Sequence, residues 1–370
     1  MAKQHSLSPI RTLALFLLVS AAHLVSFGQA AQPRVDPKLT LERIFATGEF
    51  QPERFGGFQW LKDGESYAKF EPSEKAKGSM DLVRYHIETS KRDVLLSADK
   101  LIPAGQAKAL AINGYEWAPG ERSILIYSNS QKVWRYNTRG DYWVLNLETG
   151  KLTKLGGDAK PASLMFAKFS PDGTKVGYVR ENDLYVEDIA SSKITRLTKD
   201  GSHTLINGTS DWVNEEEFFL RDCWRWSPDS RSIAYWQFNA EGIKDFVLID
   251  NTQDLYPVLT HIPYPKAGTT NSAVRVGVVS AEGGGETKWM NTPGDLRQHY
   301  IAMMDWTDNS NEIILQHLNR LQNTNQLMIA DAKTGAVKTI LTEKDETWVD
   351  VTMPRMRWLD DGKRFLWVSE

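Results

Sequence analysis

Short apolar segments separated by polar turns run through most of the chain. One series starts with the turn Ser170–Gly173 and continues through the apolar segment Val176–Val179 and the alternating segments Asp183–Asp188 and Lys193–Thr198. Brief aliphatic and aromatic runs bounded by glycine, proline, asparagine and aspartate are typical of β-strands joined by tight turns. Counting the strand that ends at Phe169, this order predicts an antiparallel unit of four strands.

An aromatic residue directly before a turn-forming stretch marks each copy of this unit. The marker residues are Trp60, Trp117, Phe169, Trp226, Trp306 and Trp358. Their spacings are 57, 52, 57, 80 and 52 residues. Proline in such a turn presets φ, and an Asp-Gly pair closes it. Four strands in each unit of roughly 50 residues are the signature of a β-propeller blade, so we predict an all-β propeller of four-stranded blades.

The number of units and the one long interval add two expectations. Six units are present, and the sixth stops within its blade at residue 370. An unclosed propeller exposes strand edges and apolar faces, so we expect a chain that is truncated at its C-terminal end. The 80-residue interval holds an insertion over Tyr256–Val279, which predicts an arm that contacts a neighbour or a partner.

Residues 1–30 have the pattern of a secretory signal peptide. Lys3 and Arg11 supply positive charge, Thr12–Phe27 is mostly apolar, and the small residues of Gly28–Ala30 provide a cleavage site. An uncleaved anchor is the alternative, but a histidine interrupts the apolar run, which is shorter than the roughly 20 residues that a span needs. No later segment is suited to crossing a membrane, so we expect no membrane association of the mature chain.

Cysteine content, charge and motifs narrow the class of function. The one cysteine, Cys223, excludes an intrachain disulfide, and we interpret it as a buried core thiol. A secreted eukaryotic domain of this size usually has disulfides, so we expect bacterial export to a periplasmic or secreted location. A net charge of −3 without a basic stripe argues against nucleic acid as a partner. We find no metal-ligand, phosphate-loop or dinucleotide motif and expect no cofactor and no metal.

Three consecutive glutamates stand between bulky apolar residues in Asp211–Phe219. Neighbouring carboxylates repel each other, so such a run requires solvent or a cationic partner. Asp211 and the two residues before it are all good N-cap residues and predict a short helix. Consecutive helical residues project about 100° apart, so Glu216 and Glu217 can flank one ammonium group while Glu215 points elsewhere. A solvated acidic turn is the alternative.

The acidic run, set in a tryptophan-rich propeller, resembles the dipeptidyl peptidase IV family of serine peptidases. Other stretches agree with this resemblance, namely Val133–Tyr136, Tyr264–Gly268 and Leu318–Asn323. The similarity extends over about residues 40–370. The family joins an N-terminal eight-bladed propeller to a C-terminal α/β-hydrolase domain and removes dipeptides whose second residue is proline or alanine. The resemblance implies that residues 31–370 form about six of an expected eight blades and bind peptides with a free N-terminus.

The resemblance also implies roles for three residues. Glu216 and Glu217 are expected to bind the α-ammonium group of the substrate, and Arg135 is expected to bind the carbonyl oxygen of its second residue. A planar, permanently charged guanidinium suits that role. Asn214 departs from the family pattern, in which an aromatic residue commonly precedes the three glutamates. The adjacent carboxylates favour dipeptide release, while release of tripeptides or acylated residues, as in the wider family, stays open.

The catalytic residues implied by the resemblance are not in this sequence. It contains no Gly-x-Ser-x-Gly motif, and the serine, aspartate and histidine of the triad are expected beyond residue 370, with the hydrolase domain. We expect this chain to supply binding without turnover. Two alternatives are a non-catalytic propeller that binds peptide N-termini or a protein partner, and a propeller that senses a signal. The resemblance further implies a homodimer formed through the insertion, around residues 240–300.

Overall fold

The computed structural model describes residues 38–52, 56–351, 356–359 and 362–369. The predicted signal peptide lies outside these described residues. The chain divides into two compact units, Met1–Gly57 and Phe58–Glu370. The described part of the first unit includes a short helix, α1 (Leu41–Phe45), whose N-cap is the side chain of the threonine before it.

The regular secondary structure of the second unit is almost entirely antiparallel strand, and the strands are arranged as the predicted blades. The first blade contains β1 (Phe58–Trp60), β2 (Ser66–Pro72), β3 (Met80–His86) and β4 (Arg92–Leu96), followed by a 3-10 helix (Ala98–Leu101). The second contains β5 (Ile112–Trp117), β6 (Ser123–Val133), β7 (Tyr136–Asn146) and β8 (Leu152–Lys154). The third contains β9 (Leu164–Phe169), β10 (Lys175–Arg180), β11 (Asp183–Asp188) and β12 (Ile194–Arg196), and β9 also pairs with β7.

The fourth blade carries the additional elements of the unit. It contains β13 (Leu205–Asn207), α2 (Trp212–Phe218), β14 (Trp224–Trp226), β15 (Ser232–Asn239), β16 (Asp245–Asp250), β17 (Val258–Pro263), β18 (Ala273–Ser280) and β19 (Lys288–Trp289). The fifth contains β20 (His299–Trp306), β21 (Glu312–Asn319), β22 (Thr324–Asp331) and β23 (Val337–Lys344). Two further strands, β24 (Arg357–Leu359) and β25 (Arg364–Leu366), belong to the sixth.

The marker residues occupy the same place in every blade. Five of them are the last residue of β1, β5, β9, β14 and β20, and the sixth lies in β24. The strands after four of them (β6, β10, β15 and β21) contain runs of consecutive buried residues, as in β10, where Val176–Val179 is buried. The predicted all-β propeller of four-stranded blades is confirmed.

Tryptophans at the marker positions also join neighbouring blades. The indole N–H of Trp226 donates to the carbonyl oxygen of Lys168 at 3.2 Å, and that of Trp306 donates to the carbonyl oxygen of Arg225 at 3.2 Å. Each acceptor lies one residue before the marker of the preceding blade, so one contact is repeated around the fold. An enclosed indole needs an acceptor for its N–H, and at Trp226 and Trp306 the preceding blade supplies it.

The predicted insertion is present as an arm, but both of its predicted ends, Tyr256 and Val279, are wrong. The arm is the hairpin of β16 and β17, in which Asp245 pairs with Pro263 and Asp250 with Val258. The segment Ala273–Ser280, placed in the insertion by its length, is instead β18 and pairs with β15 along its whole length. The arm exposes a set of apolar side chains: Phe246, Val247, Leu248, Ile249, Leu255, Tyr256, Val258 and Leu259.

Two histidines lie side by side inside the fifth blade. The rings of His299 on β20 and His317 on β21 have centroids 4.5 Å apart. Burial lowers the pKa of both imidazoles, and with the added effect of His299 the pKa of His317 falls to about 4. The unfolded chain binds protons at these rings near pH 6.5, whereas the folded chain does so only at lower pH. Their stabilising contribution is therefore complete above about pH 6.5 and is lost as the pH falls towards 4.

We expect acidification across this window to lower the free energy of unfolding by up to about 3 kcal/mol through His317. Urea denaturation at a series of pH values between 7 and 4 measures the slope of the free energy of unfolding against pH. The variant His317→Phe should flatten it, while Leu259→Ala, at an exposed leucine on the arm, should leave it unchanged. Equal slopes in the wild type and His317→Phe would contradict the assignment.

Candidate functional site

The acidic run forms the short helix α2, as predicted. Asp211 is its N-cap, and its Oδ1 accepts hydrogen bonds from the backbone N–H of Asn214 at 3.0 Å and from the side-chain amide of Asn214 at 2.8 Å. The Asp211 Oδ2 accepts from the hydroxyl of Ser272 at 2.5 Å, which ties the helix to the segment before β18. Phe219 is the C-cap of the helix and has a left-handed backbone conformation (φ 56°). Asn214, the departure from the family pattern, thus stabilises the helix start.

The three glutamates of α2 lie in three different environments. Glu215 is 4% exposed, and its Oε1 lies 3.4 Å from Nε of Arg221. Burial raises the pKa of Glu215 to about 7, and the charge of Arg221 opposes that rise. Glu216 is half-buried, and Glu217 is exposed. Glu215 therefore points away from the other two, as the helix geometry predicts.

Arg135 lies in the turn Trp134–Arg135 between β6 and β7. The hairpin carries it to α2, where its Nε donates to Oε1 of Glu216 at 2.7 Å. Glu217 is the next residue, and no cationic side chain of the described residues lies within ion-pair distance of it. The structure thus brings Arg135 and Glu216 into contact and leaves Glu217 open beside them.

A second link between the hairpin and α2 was missed in the sequence. The guanidinium carbon of Arg221 lies 3.6 Å from the centroid of the Tyr136 ring, and the same side chain contacts Glu215. Arg221 follows the helix in an irregular segment and Tyr136 begins β7, so no local pattern pairs them. The tip of the hairpin is therefore held to α2 at two neighbouring points.

Cavities lie on two sides of α2. One of about 320 Å³ is lined by Glu215, Trp134 and His203, among others. The other, of about 340 Å³, is lined by Glu217 and by residues of three further segments of the chain. Trp212 borders both cavities and packs on Tyr264 with ring centroids 4.4 Å apart. Two of the three glutamates thus line separate cavities.

Three further features concern the cysteine, metal-ligand groups and membrane-spanning helices. Cys223 lies just before β14 and is fully buried, and burial raises the pKa of its thiol, which confirms the interpretation as an inert core residue. Within the described ranges, no three histidine, cysteine, aspartate or glutamate side chains are grouped as metal ligands. No helix in those ranges has the length and apolar character of a membrane span.

Comparison with known proteins links the chain to one family. Residues 118–370 match the model of the dipeptidyl peptidase IV (DPP IV) N-terminal region. Dipeptidyl peptidase 4 of Arthroderma otae is 28% identical over 360 residues, which cover 92% of this chain and 44% of that protein. The inactive dipeptidyl peptidase 10 of Rattus norvegicus is 25% identical over 338 residues, which cover 89% of this chain and 40% of that protein.

A solved structure shows the same fold. The crystal structure of Porphyromonas gingivalis dipeptidyl peptidase 4 superimposes with a TM-score of 0.75 at 27% identity, covering 85% of this chain and 43% of that one. The chain spans about two fifths of the length of the relatives it matches.

Proposed function

The chain belongs to the dipeptidyl peptidase IV family, and from this we propose that it is the substrate-binding propeller region of a serine-type dipeptidyl peptidase that releases X-Pro or X-Ala dipeptides from peptide N-termini. The observation that supports this most directly is the ion pair between Arg135 and Glu216 beside the open carboxylate of Glu217. Two carboxylates and one guanidinium are thereby placed at the half-buried helix α2, of which Glu217 is the exposed residue.

The three groups suit the end of a peptide. An ammonium group has three donors and no acceptor, so the carboxylates of Glu216 and Glu217 can share it. Arg135 has Nε committed to Glu216, and its remaining guanidinium N–H groups are free to donate to a peptide carbonyl oxygen. Holding the ammonium at one point and a carbonyl at another measures a fixed length of substrate from its N-terminus, which is what dipeptide release requires.

The same arrangement accounts for selection of a free N-terminus. An acylated peptide has no cation to offer, so binding it would desolvate the carboxylate of Glu217 without giving it a cationic partner and would leave Glu216 with Arg135 alone. Leaving a charged group unpaired costs more than a neutral hydrogen bond contributes. We therefore expect discrimination against blocked peptides to be strong.

Binding without catalysis is the second candidate function. It is favoured by the similarity to a rat protein named an inactive dipeptidyl peptidase. Both candidates use the same carboxylates and bind the same ligands. They differ in whether a nucleophile is joined to the propeller, which activity of the complete gene product would establish.

Two further proposals concern the setting of the protein. We propose bacterial export to the periplasm or the medium, based on the signal-peptide pattern of residues 1–30. We also propose that the exposed apolar arm of β16 and β17 contributes to a homodimer, because contiguous exposed apolar surface marks protein contacts. Peptide-sequencing of the exported protein and sedimentation of an arm-deleted variant test these two proposals.

Calorimetric titration with Ala-Pro-Ala and with N-acetyl-Ala-Pro-Ala tests the proposed function. We expect acetylation to weaken binding by about 100-fold, since a hydrogen-bonded charge contributes about 1.5–3 kcal/mol and its removal leaves carboxylates unpaired. Ala-Pro-Ala with an amidated C-terminus is the control and should bind as the parent peptide does. Equal affinities for the free and the acetylated peptide would reject the function.

A further inference from the structure

The cavity of about 340 Å³ beside Glu217 has a distinct charge arrangement. One wall comes from α2 and includes Glu217 and Phe218. The facing segments contribute two cationic side chains, Lys266 from the loop after β17 and Arg320 from the turn after β21. The lining of the cavity therefore includes one carboxylate on α2 and two cations on other segments.

The two cationic segments are bonded to each other through Thr269. Its backbone N–H and its hydroxyl both donate to the carbonyl oxygen of Lys266, at 2.9 and 2.7 Å. The carbonyl oxygen of Thr269 in turn accepts a hydrogen bond from the guanidinium of Arg320. This short chain of bonds joins the backbone at Lys266 to the guanidinium of Arg320, so the two cations of the cavity come from connected segments.

Neither cation has an acidic partner in the described part of the chain. Lys266 is exposed and Arg320 is half-buried, and no carboxylate among the described residues lies within ion-pair distance of either side chain. Glu217, on α2, is likewise without an ion pair to any described residue. The cavity thus offers one site for a positive group and, across it, a site for a negative group.

We propose that this cavity binds the side chain of the substrate's N-terminal residue and favours a carboxylate there, so that peptides beginning with aspartate or glutamate are the preferred class. The inference rests on the proposed function, because it uses Glu217 as an anchor of the ammonium group. The ammonium and the side chain are attached to the same Cα atom. Fixing the first on Glu217 therefore directs the second into the cavity that Glu217 lines.

The chemistry of an acidic N-terminal residue matches the cavity at both ends. Its ammonium neutralises Glu217, and its side-chain carboxylate accepts from Lys266 and Arg320, whose guanidinium has five N–H donors. The lining also includes aromatic rings, among them Phe218 and Tyr300, which pack at a centroid distance of 5.0 Å. Partial enclosure by apolar walls strengthens ion pairs relative to those in bulk water.

Titration with Asp-Pro-Ala and Asn-Pro-Ala tests the inference, since these peptides differ only in side-chain charge. We expect the aspartyl peptide to bind about tenfold more tightly at low salt, with a smaller ratio at high salt. The variant Lys266→Met should reduce the ratio, and Lys266→Met combined with Arg320→Met should bring it close to one. Lys266→Glu should reverse the preference, and because Lys266 is exposed this variant keeps the fold.

The control variant is Lys338→Met, at an exposed lysine of β23 outside the cavity, which should keep the wild-type ratio. Ala-Pro-Ala separates the proposed peptide-binding function from the inference about the cavity. If it binds and loses affinity on acetylation while the aspartyl and asparaginyl peptides bind equally, only the cavity inference is overturned. If none of the three free peptides binds, the proposed function and the inference both fail. A tenfold ratio that persists in the double variant would also overturn the role of the two cations.

Discussion

Glutamine at both position 216 and position 217 should abolish measurable binding of Ala-Pro-Ala while the fold is kept. Each replacement preserves size but removes the charge that pairs with the peptide ammonium, and a hydrogen bond to a charged group contributes about 1.5–3 kcal/mol. Glu217→Gln by itself should weaken binding by roughly 10- to 100-fold. Glu217 is exposed and Glu216 contacts an arginine that is 67% exposed, so neither replacement leaves a buried charge unpaired. Calorimetric titration measures the affinity, and thermal unfolding checks the fold.

The matched control for these variants lies at the opposite end of the same hairpin. Glu148 pairs with Arg122 at 3.6 Å, and both side chains are largely exposed. Glu148→Gln removes one negative charge from the protein without touching α2, so it should leave the affinity for Ala-Pro-Ala within a factor of two (about 0.4 kcal/mol). If Glu148→Gln weakened binding as much as Glu217→Gln does, a general effect of net charge would replace the specific role of α2.

Trp224→Ala should lower the free energy of unfolding by about 3–5 kcal/mol, the cost typical of deleting a buried aromatic side chain. Trp224, on β14, is 0% exposed and packs against Lys168 and Gly177 of the third blade. The ammonium of Lys168 lies 3.9 Å from its ring centroid, and Gly177 lies so close that a Cβ there would be 2.6 Å from the ring. The alanine leaves a cavity between blades that this packing cannot fill.

Urea denaturation measures the loss, with Trp348→Ala as the matched control. Trp348 is 53% exposed, so the same substitution there should cost less than about 1 kcal/mol. Because β14 directly follows the segment that carries α2, partial unfolding of this blade should also weaken peptide binding near the denaturation midpoint. A similar loss in both variants would show that the contact between the third and fourth blades does not limit stability.

The sequence by itself determined the repeated unit and the helix of the candidate site. Marker residues before tight turns predicted the first strand of each blade, because turn-forming residues and alternating apolar positions are local signals. The same holds for α2, whose cap at Asp211 and three following glutamates are read within a single segment. The resemblance to the peptidase family assigned Arg135 and Glu216 to one substrate site. In the structure, Nε of Arg135 lies 2.7 Å from Oε1 of Glu216.

Only the tertiary structure decided which distant segments meet. The contact of Arg221 with Tyr136 and Glu215 joins an irregular segment, a strand start and a helix, and no periodicity relates them. The segment Ala273–Ser280 has a strand pattern that suits an arm or a blade equally, and its full-length pairing with β15 assigns it to the blade. Local pattern specifies how each segment is folded, whereas the pairing of strands and charges far apart in sequence depends on how the blades pack.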